Sequence, residues 1–328
     1  MKRREFLWAL GGAAAVGPSI ARAQPAAMPV IGFLDSRSSD GMDARLRGFR
    51  QGLKEAGFFE GENLKVEYRW ADNQGDRLAE MAAELVRRQP AAIITSGGPQ
   101  AALVAKAATT TVPIVFLVGE DPTRLGLVSS MTRPTGNLTG INLLTNELEA
   151  KRLELLHQLL PKSARVAILL NPSDVRNTET TLRDVTVAAH TIGLQVQILH
   201  ATSTREIADV FASISREMPD AMFVGSGAFL NIRRVQLAQL AAFHRLPAMY
   251  ALREAPEVGG LMSYGPSISD AYRQLGIYAG RILKGAKPTD LPVMQASKFE
   301  LVINATTANI LGLALPPSLL AVADEVIE

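Results

Sequence analysis

The feature that most restricts this chain is a series of short, uninterrupted apolar runs separated by longer segments of helical periodicity, and the series occurs twice. The runs lie at residues 30–34, 93–95, 114–118, 166–170, 221–224 and 248–250. Being continuous rather than alternating, they suit strands buried on both faces of a parallel sheet. Residues 64–70 alternate instead, which predicts a strand with one solvated face. Between the runs, Leu46, Phe49 and Leu53 recur at helical spacing, as do Ile207, Val210, Phe211 and Ile214. Such alternation implies right-handed βαβ units and an α/β fold. One series covers residues 29–141 and the other 164–264, joined by a helix carrying Leu153, Leu156 and Leu160. Two similar lobes follow, with a helix near 269–283 and a stretch at 291–303 returning across the interface to form a hinge. Periodicity alone describes two independent α/β domains of an enzyme equally well.

The N-terminus has another character. Lys2, Arg3 and Arg4 form a basic head, residues 6–20 are apolar, and Ala21-Arg22-Ala23 closes the segment. These are the three parts of an export signal, and Arg3-Arg4-Glu5-Phe6-Leu7 resembles the twin-arginine type. Lys2 stands where a Ser or Thr often precedes the arginine pair. Cleavage is expected after Ala23, releasing a chain that starts at Gln24. The alternative is an ordinary buried or anchoring N-terminal helix. No other segment reaches the roughly 18 apolar residues of a membrane span.

Removing this segment changes the composition argument. The whole chain has a formal charge of +2, but its first 23 residues hold four basic residues against one acid, leaving −1. The apparent basicity belongs to the address, and no anionic macromolecule is called for. Arg87-Arg88 and Arg233-Arg234 read as solvated helix faces, so no nucleic-acid partner is expected. With 47% hydrophobic residues the chain has the material for two packed lobes, and intrinsic disorder is excluded. With no cysteine it offers no disulfide, thiolate metal site or lipidated cysteine, and it is expected free in the periplasm.

In parallel sheets, ligands bind beyond the carboxyl ends of the strands. The loop Asp35-Ser36-Arg37 follows the first strand, and Ser96-Gly97-Gly98-Pro99-Gln100 follows a later one. Pro99 suits the first position of a helix, and the glycines let backbone N–H groups approach a guest such as a carboxylate. A plain tight turn with a glycine cap explains the same residues. Further candidates are Asp121 with Pro122, Asn137 with Thr139, Asn171 with Pro172, and Ser226, Gly227 and Phe229. Asp121 and Ser173 read equally as helix caps. Tyr250, Arg253 and Glu254 follow a strand, and Tyr264 marks a crossing between lobes. Either tyrosine stacks on a ligand or simply lines the hinge.

Enzyme signatures are mostly missing. His157, His190, His200 and His244 are scattered without metal-ligand spacing, and neither a G-x-S-x-G elbow nor a Walker sequence is found. No cofactor, metal or catalytic residue is assigned.

Several stretches are similar to a known family: RGFRQGLKEAGF, EGENLKVEYRWA, DPTRLGLVSSMTRPTGNLTG, GGLMSYG and the long closing run from Gly280 to Glu328. They resemble the substrate-binding proteins of an ABC-transporter family that includes tryptophan-binding members, over nearly the whole mature chain. The resemblance implies a type I periplasmic-binding-protein fold, with two Rossmann-like lobes joined by a three-segment hinge. Lobe 1 is then 28–141 plus 265–286, and lobe 2 is 142–264 plus 287–328. It also implies ligand contacts around Ser36, Ser96–Gln100 and Asp121 on one side, and Asn171, Ser226–Phe229 and Tyr250 on the other. Many relatives carry an acidic residue followed by proline where this chain reads Gly227-Ala228, so Gly227 leaves space for a bulkier or less polar ligand.

The expected function is a monomeric periplasmic binding protein. It captures a small solute, an amino acid or an aromatic or aliphatic carboxylate, and delivers it to an inner-membrane ABC permease with its ATPase. Two other readings stay open: an exported hydrolase with Asp121 or Glu254 as base, and a sensory solute-binding protein.

Overall fold

The computed structural model describes residues 28–328 apart from 73 and 215–217, and the expected export signal at 1–23 lies outside the described residues. The first series of apolar runs builds β1 (Val30–Asp35), β2 (Lys65–Trp70), β3 (Ala92–Ser96), β4 (Ile114–Val118) and β5 (Leu138–Asn142). Between them run α1 (Asp43–Glu55), α2 (Gly75–Arg87) and α3 (Pro99–Ala108). The second series comprises α4 (Glu149–Leu159), β6 (Arg165–Leu170), α5 (Val175–Ile192), β7 (Gln195–His200), α6 (Thr204–Ile214), β8 (Ala221–Val224), α7 (Ala228–Ile232), α8 (Arg234–Phe243), β9 (Ala248–Tyr250) and β10 (Met262–Pro266). The chain then returns through α9 (Ile268–Leu283), β11 (Met294–Gln295), β12 (Phe299–Asn304), α10 (Ala305–Ile310), α11 (Pro317–Leu320) and β13 (Glu325–Ile327).

Two sheets result, ordered β11-β5-β4-β3-β1-β2 and β13-β12-β10-β9-β8-β6-β7. Every pairing is parallel except β10 with β12. The continuous apolar strands β3 and β4 are buried at every position, whereas the alternating strand β2 sits at an edge and is only half-buried. Apolar clusters cover both faces of each sheet. Helix α9 lies directly on α1, backbone against backbone: a side chain at Gly52 would strike the Arg273 carbonyl, and one at Gly276 the Phe49 carbonyl.

This topology fixes where a ligand can sit. Strand β1 lies between β2 and β3, so successive crossovers leave it in opposite directions and the loops after β1 and β3 part at their tips. Strand β6 lies in the same way between β7 and β8. Each lobe therefore has a crevice at a topological switch point.

The chain crosses between lobes near 143–148, 266–268 and 296–299. The third crossing ties the other two together. Ala296 N donates to Asn142 O at 2.8 Å, and Ser267 N donates to Lys298 O at 2.9 Å. Two boundaries of the expected division shift by a residue or two, because Asn142 ends β5 of lobe 1 and Gly265 and Pro266 end β10 of lobe 2, and a third shifts further. Residues 287–295 were assigned to lobe 2, yet β11 pairs with β5, and Leu291 and Val293 are buried in the lobe 1 core. A two-residue strand carries too little apolar periodicity to be seen before the fold is known.

Candidate functional site

On the first lobe, the organising group is a carboxylate that the sequence reading did not include among its site residues. Asp35 ends β1 with none of its surface exposed. Its Oδ1 accepts from Arg37 N at 2.8 Å and Arg37 Nε at 2.9 Å, and its Oδ2 accepts from Arg37 Nη2 at 2.7 Å and from Ser96 Oγ. Arg37 Nη2 also donates to the Tyr272 hydroxyl of α9 at 2.7 Å, which in turn donates to Ser96 Oγ at 3.1 Å. Ser36 Oγ donates to Gly97 O at 2.6 Å, so the loops after β1 and β3 are locked together. Burial alone raises the Asp35 pKa, but Arg37 beside it and the hydrogen bonds it accepts bring it below the ordinary aspartate value.

The same lock explains the glycines. Gly97 (φ +87°) and Gly98 (φ +111°) have positive φ, and a side chain at Gly97 would strike the Asp35 carboxylate and Ser36. Helix α3 begins immediately afterwards with Pro99 at its start, so its free N–H groups face the crevice beside Gln100.

On the second lobe the organising group is Glu149, which opens α4 and pairs with Arg152 at 3.1 Å, both wholly buried. Ser226 Oγ donates to Glu149 Oε1 at 2.9 Å, and Thr181 Oγ1 donates to the same oxygen at 3.2 Å. Asn177 Nδ2 donates to Ser226 O, which fixes the turn that carries Gly227. Arg152 reaches back to the first crossing, donating to Thr145 O at 2.6 Å, and Thr145 Oγ1 donates to Gly119 O of lobe 1 at 3.3 Å. Burial pushes the Glu149 carboxyl above the ordinary glutamate value despite Arg152. Asp174 caps α5, accepting from Asn177 N at 3.4 Å, and burial raises its pKa as well.

The two walls face each other across a cavity of about 180 Å³. Its polar lining includes Arg37, Gln100, Glu120, Asp174, Asn177 and Ser226, and its apolar lining includes Leu117, Leu143, Leu252 and Ile268. At the rim, Arg45 of α1 forms an ion pair with Glu254 of lobe 2 at 2.8 Å. Such a cavity holds a small polar-headed molecule, and among the described residues no group of His, Asp and Glu is placed to hold a metal ion.

Of the residues named from sequence, Arg37, Gly97, Gly98, Pro99, Gln100, Ser226 and Gly227 line this cavity. Ser36 and Ser96 lie one layer behind it, bonded to the loops that do. The others are elsewhere, each for a local reason. Asp121 turns away and binds Thr123 N at 2.8 Å and Thr123 Oγ1 at 2.6 Å, and the carbonyl of Pro122 closes the same turn. Neighbouring Glu120 is the residue that faces inward. Asn137 stands at the amino end of β5, the wrong end of the sheet, bonded to Thr109 O and Val112 O. Thr139 is buried inside β5 and donates to Leu291 O. Asn171 and Pro172 shape the turn into α5, where Asn171 Oδ1 accepts from Ser173 N at 3.1 Å.

Phe229 points away to pack under the Arg233 guanidinium, 4.2 Å from its ring centroid. Arg253 is held by Glu257, Glu300 and Glu325, an ion network that ties β12 and β13 to the loop after β9. Tyr264 packs on Phe299 in the hinge. Tyr250 is buried beside a smaller recess that Glu254 also borders. The two bases named for a hydrolase, Asp121 and Glu254, are thus bound to Thr123 and Arg45.

Lining residues not read from sequence include Arg45, Asp174, Asn177, Asn231, Arg234 and Tyr272. The spacing Asp174-x-x-Asn177 straight after a strand was a usable signal, because a helix cap there stands at the mouth of the crevice. Tyr272 had none, since it reaches the site from a helix that returns late in the chain.

Residues 30–327 match the model of a family described as ABC transporter substrate binding protein. The tyrosine-binding protein of Clostridioides difficile strain R20291 is 24% identical over 289 residues, covering 86% of this chain and 81% of that protein. A Streptococcus pneumoniae ABC domain solved in complex with L-Trp shares 26% identity at a TM-score of 0.81, covering 91% of this chain and 99% of that one. A conserved domain protein from Vibrio cholerae shares 24% identity at a TM-score of 0.82, with the same coverage.

Proposed function

Because the chain belongs to the family of ABC transporter substrate-binding proteins, we propose that it captures one amino acid with an apolar or aromatic side chain between its lobes. We assign it to the periplasm, with the signal cleaved after Ala23, where it hands its solute to an inner-membrane permease driven by an ATPase. It acts as a monomer without cofactor, and no bond of the solute is broken.

The observation that carries this reading is that the cavity lining offers groups for both signs of charge. The N-terminus of α3, bordered by Gly97 and Gly98, offers backbone N–H groups to a carboxylate. Glu120 and Asp174 supply anionic oxygens for an ammonium group, replacing the acidic residue that relatives carry at the position of Gly227. Leu117, Leu143, Leu252 and Ile268 accept an apolar body. A tyrosine-binding relative and an L-Trp complex lend support to the same class. Closure follows because a ligand that touches both walls binds the closed form more tightly than the open one.

Titration calorimetry with the twenty L-amino acids and their deaminated carboxylates tests the ligand class, alongside X-ray scattering for compaction. An aromatic or large apolar L-amino acid should bind and shrink the particle. If none bound, or if a deaminated acid bound as well as its parent, the amino-acid assignment would fall. Loss of uptake of the bound solute in a deletion strain tests delivery; normal uptake there would favour a sensory role.

A further inference from the structure

A second recess shares four wall residues with the cleft: Arg45, Asn231, Arg234 and Leu252. Its volume is about 10 Å³, close to the space that a single water-sized oxygen fills. Most of its remaining wall is apolar, formed by Val224, Leu230 and Ala255. Three of its lining residues each carry a buried polar atom with no hydrogen-bond partner among the described residues: Tyr250 Oη, Glu254 Oε2 and Arg234 Nε. Tyr250 is only 3% exposed. One orphaned polar atom in such surroundings is already costly, so three on residues that share one small recess point to a group that satisfies them together.

We propose that this recess is a subsite for one hydroxyl group at the distal end of the ligand, read by Arg234, Tyr250 and Glu254. The inference rests on the solute-binding function above and narrows its substrate class to hydroxylated side chains. The complementarity is specific. Arg234 Nε is a donor, Glu254 Oε2 an acceptor and the tyrosine hydroxyl either, so a neutral hydroxyl accepts from the first and donates to the second. An ammonium group would stand against the guanidinium groups of Arg45 and Arg234. A carboxylate is too large and would face Glu254. The ion pair between Glu254 Oε1 and Arg45 spans the lobes, so a hydroxyl bound to Oε2 also reports on closure.

L-Tyrosine and L-phenylalanine differ by the one group in question, and both are to be titrated calorimetrically into the wild-type protein and Tyr250→Phe. The subsite predicts about a hundredfold preference of the wild type for tyrosine, falling below about tenfold in the variant, because a buried polar site rejects the analogue that leaves it unpaired. Equal affinity of the wild type for both amino acids would overturn the subsite while leaving the amino-acid reading intact. Failure of both to bind would remove the aromatic ligand but still leave a decision to crystallography of the protein with its co-purified or added solute. A solute hydroxyl bonded to all three residues keeps the subsite; a water there, or no atom at all, overturns it.

Discussion

The two walls of the cleft are each built on one wholly buried carboxylate paired with an arginine, and the pKa values of the two carboxylates are shifted in opposite directions. Asp35 receives four hydrogen bonds, three of them from Arg37, whose side chain still keeps 14% of its surface in solvent. Glu149 has one cationic partner, Arg152, which is itself fully desolvated and leaves Nε and Nη1 without partners among the described residues. Burial therefore wins at Glu149 and loses at Asp35. The difference teaches that the buried charge is compensated more fully in the first wall than in the second, where desolvation outweighs a single ion pair.

The largest effect expected from that contrast is at Asp35. Asp35→Asn removes the charge while keeping the shape, leaving Arg37 without its counterion. A loss of about 3 kcal/mol is expected from breaking a buried pair, measured by urea unfolding. Ligand affinity should fall with it, because Arg37, which lines the cavity, and Ser96 lose their common anchor. A loss below about 1 kcal/mol would mean that Asp35 is not the anchor of this wall.

Gly97→Ala comes next, and its neighbour supplies the control. Both glycines have positive φ, but only at Gly97 does a side chain collide with Asp35 and Ser36; at Gly98 nothing lies within 4 Å. Strain alone predicts a cost of about 1 kcal/mol at Gly98, and strain plus collision about 2 kcal/mol at Gly97. Equal costs in thermal unfolding would show that the lock between the two loops yields easily.

Glu149→Gln keeps an acceptor for Ser226 and Thr181 but strands the buried Arg152; because burial already disfavours the ionised carboxylate, the cost at neutral pH should be about 2 kcal/mol, below that at Asp35. Its pH dependence is the sharper measurement. A folded pKa above the unfolded value near 4.5 means that the carboxyl contributes stability below that pH and loses it as pH rises through the folded pKa. The stability gap between wild type and Glu149→Gln should therefore narrow as pH rises from 4 toward 8. Asp35 has the reverse sign: its contribution is present above 3.8 and is lost as pH falls through its depressed folded pKa. A gap at Glu149 that widened with rising pH would erase the contrast between the walls.

How much of this was legible in the sequence follows the same physics. Continuous apolar runs located β1, β3, β4, β6, β8 and β9, because strands buried on both faces leave no polar alternation. The Ser96–Gln100 loop was legible because helix starts and positive φ demand particular residue types. Strand β5 was not, since Leu-Thr-Gly-Ile-Asn mixes polar and small residues; Gly140 is there because a side chain would strike Phe116. That is why Asn137 and Thr139 looked like a loop. Glu120 and Asp121 show a finer limit, for adjacent residues point in opposite directions and composition cannot say which turns inward. The buried charges were the least visible, because Arg37–Tyr272 and Glu149–Ser226 join residues distant in sequence.

The smallest effect belongs to the rim, where the two walls meet directly. The Arg45–Glu254 pair is partly exposed, with side chains 15% and 22% accessible, so its contribution is held down by solvent screening. Arg45→Gln should change unfolding stability by about 0.5 kcal/mol or less. Because the pair forms between lobes, all of that energy lies in the closed form, and ligand affinity should fall by about twofold. Raising the salt concentration should shrink the difference between wild type and variant, since screening weakens only the protein that still has the pair. An affinity loss beyond about tenfold would mean that Arg45 meets the solute itself. A variant that bound as tightly as wild type at low salt would mean that the rim follows closure without favouring it, leaving the two buried carboxylate networks to set how the walls approach.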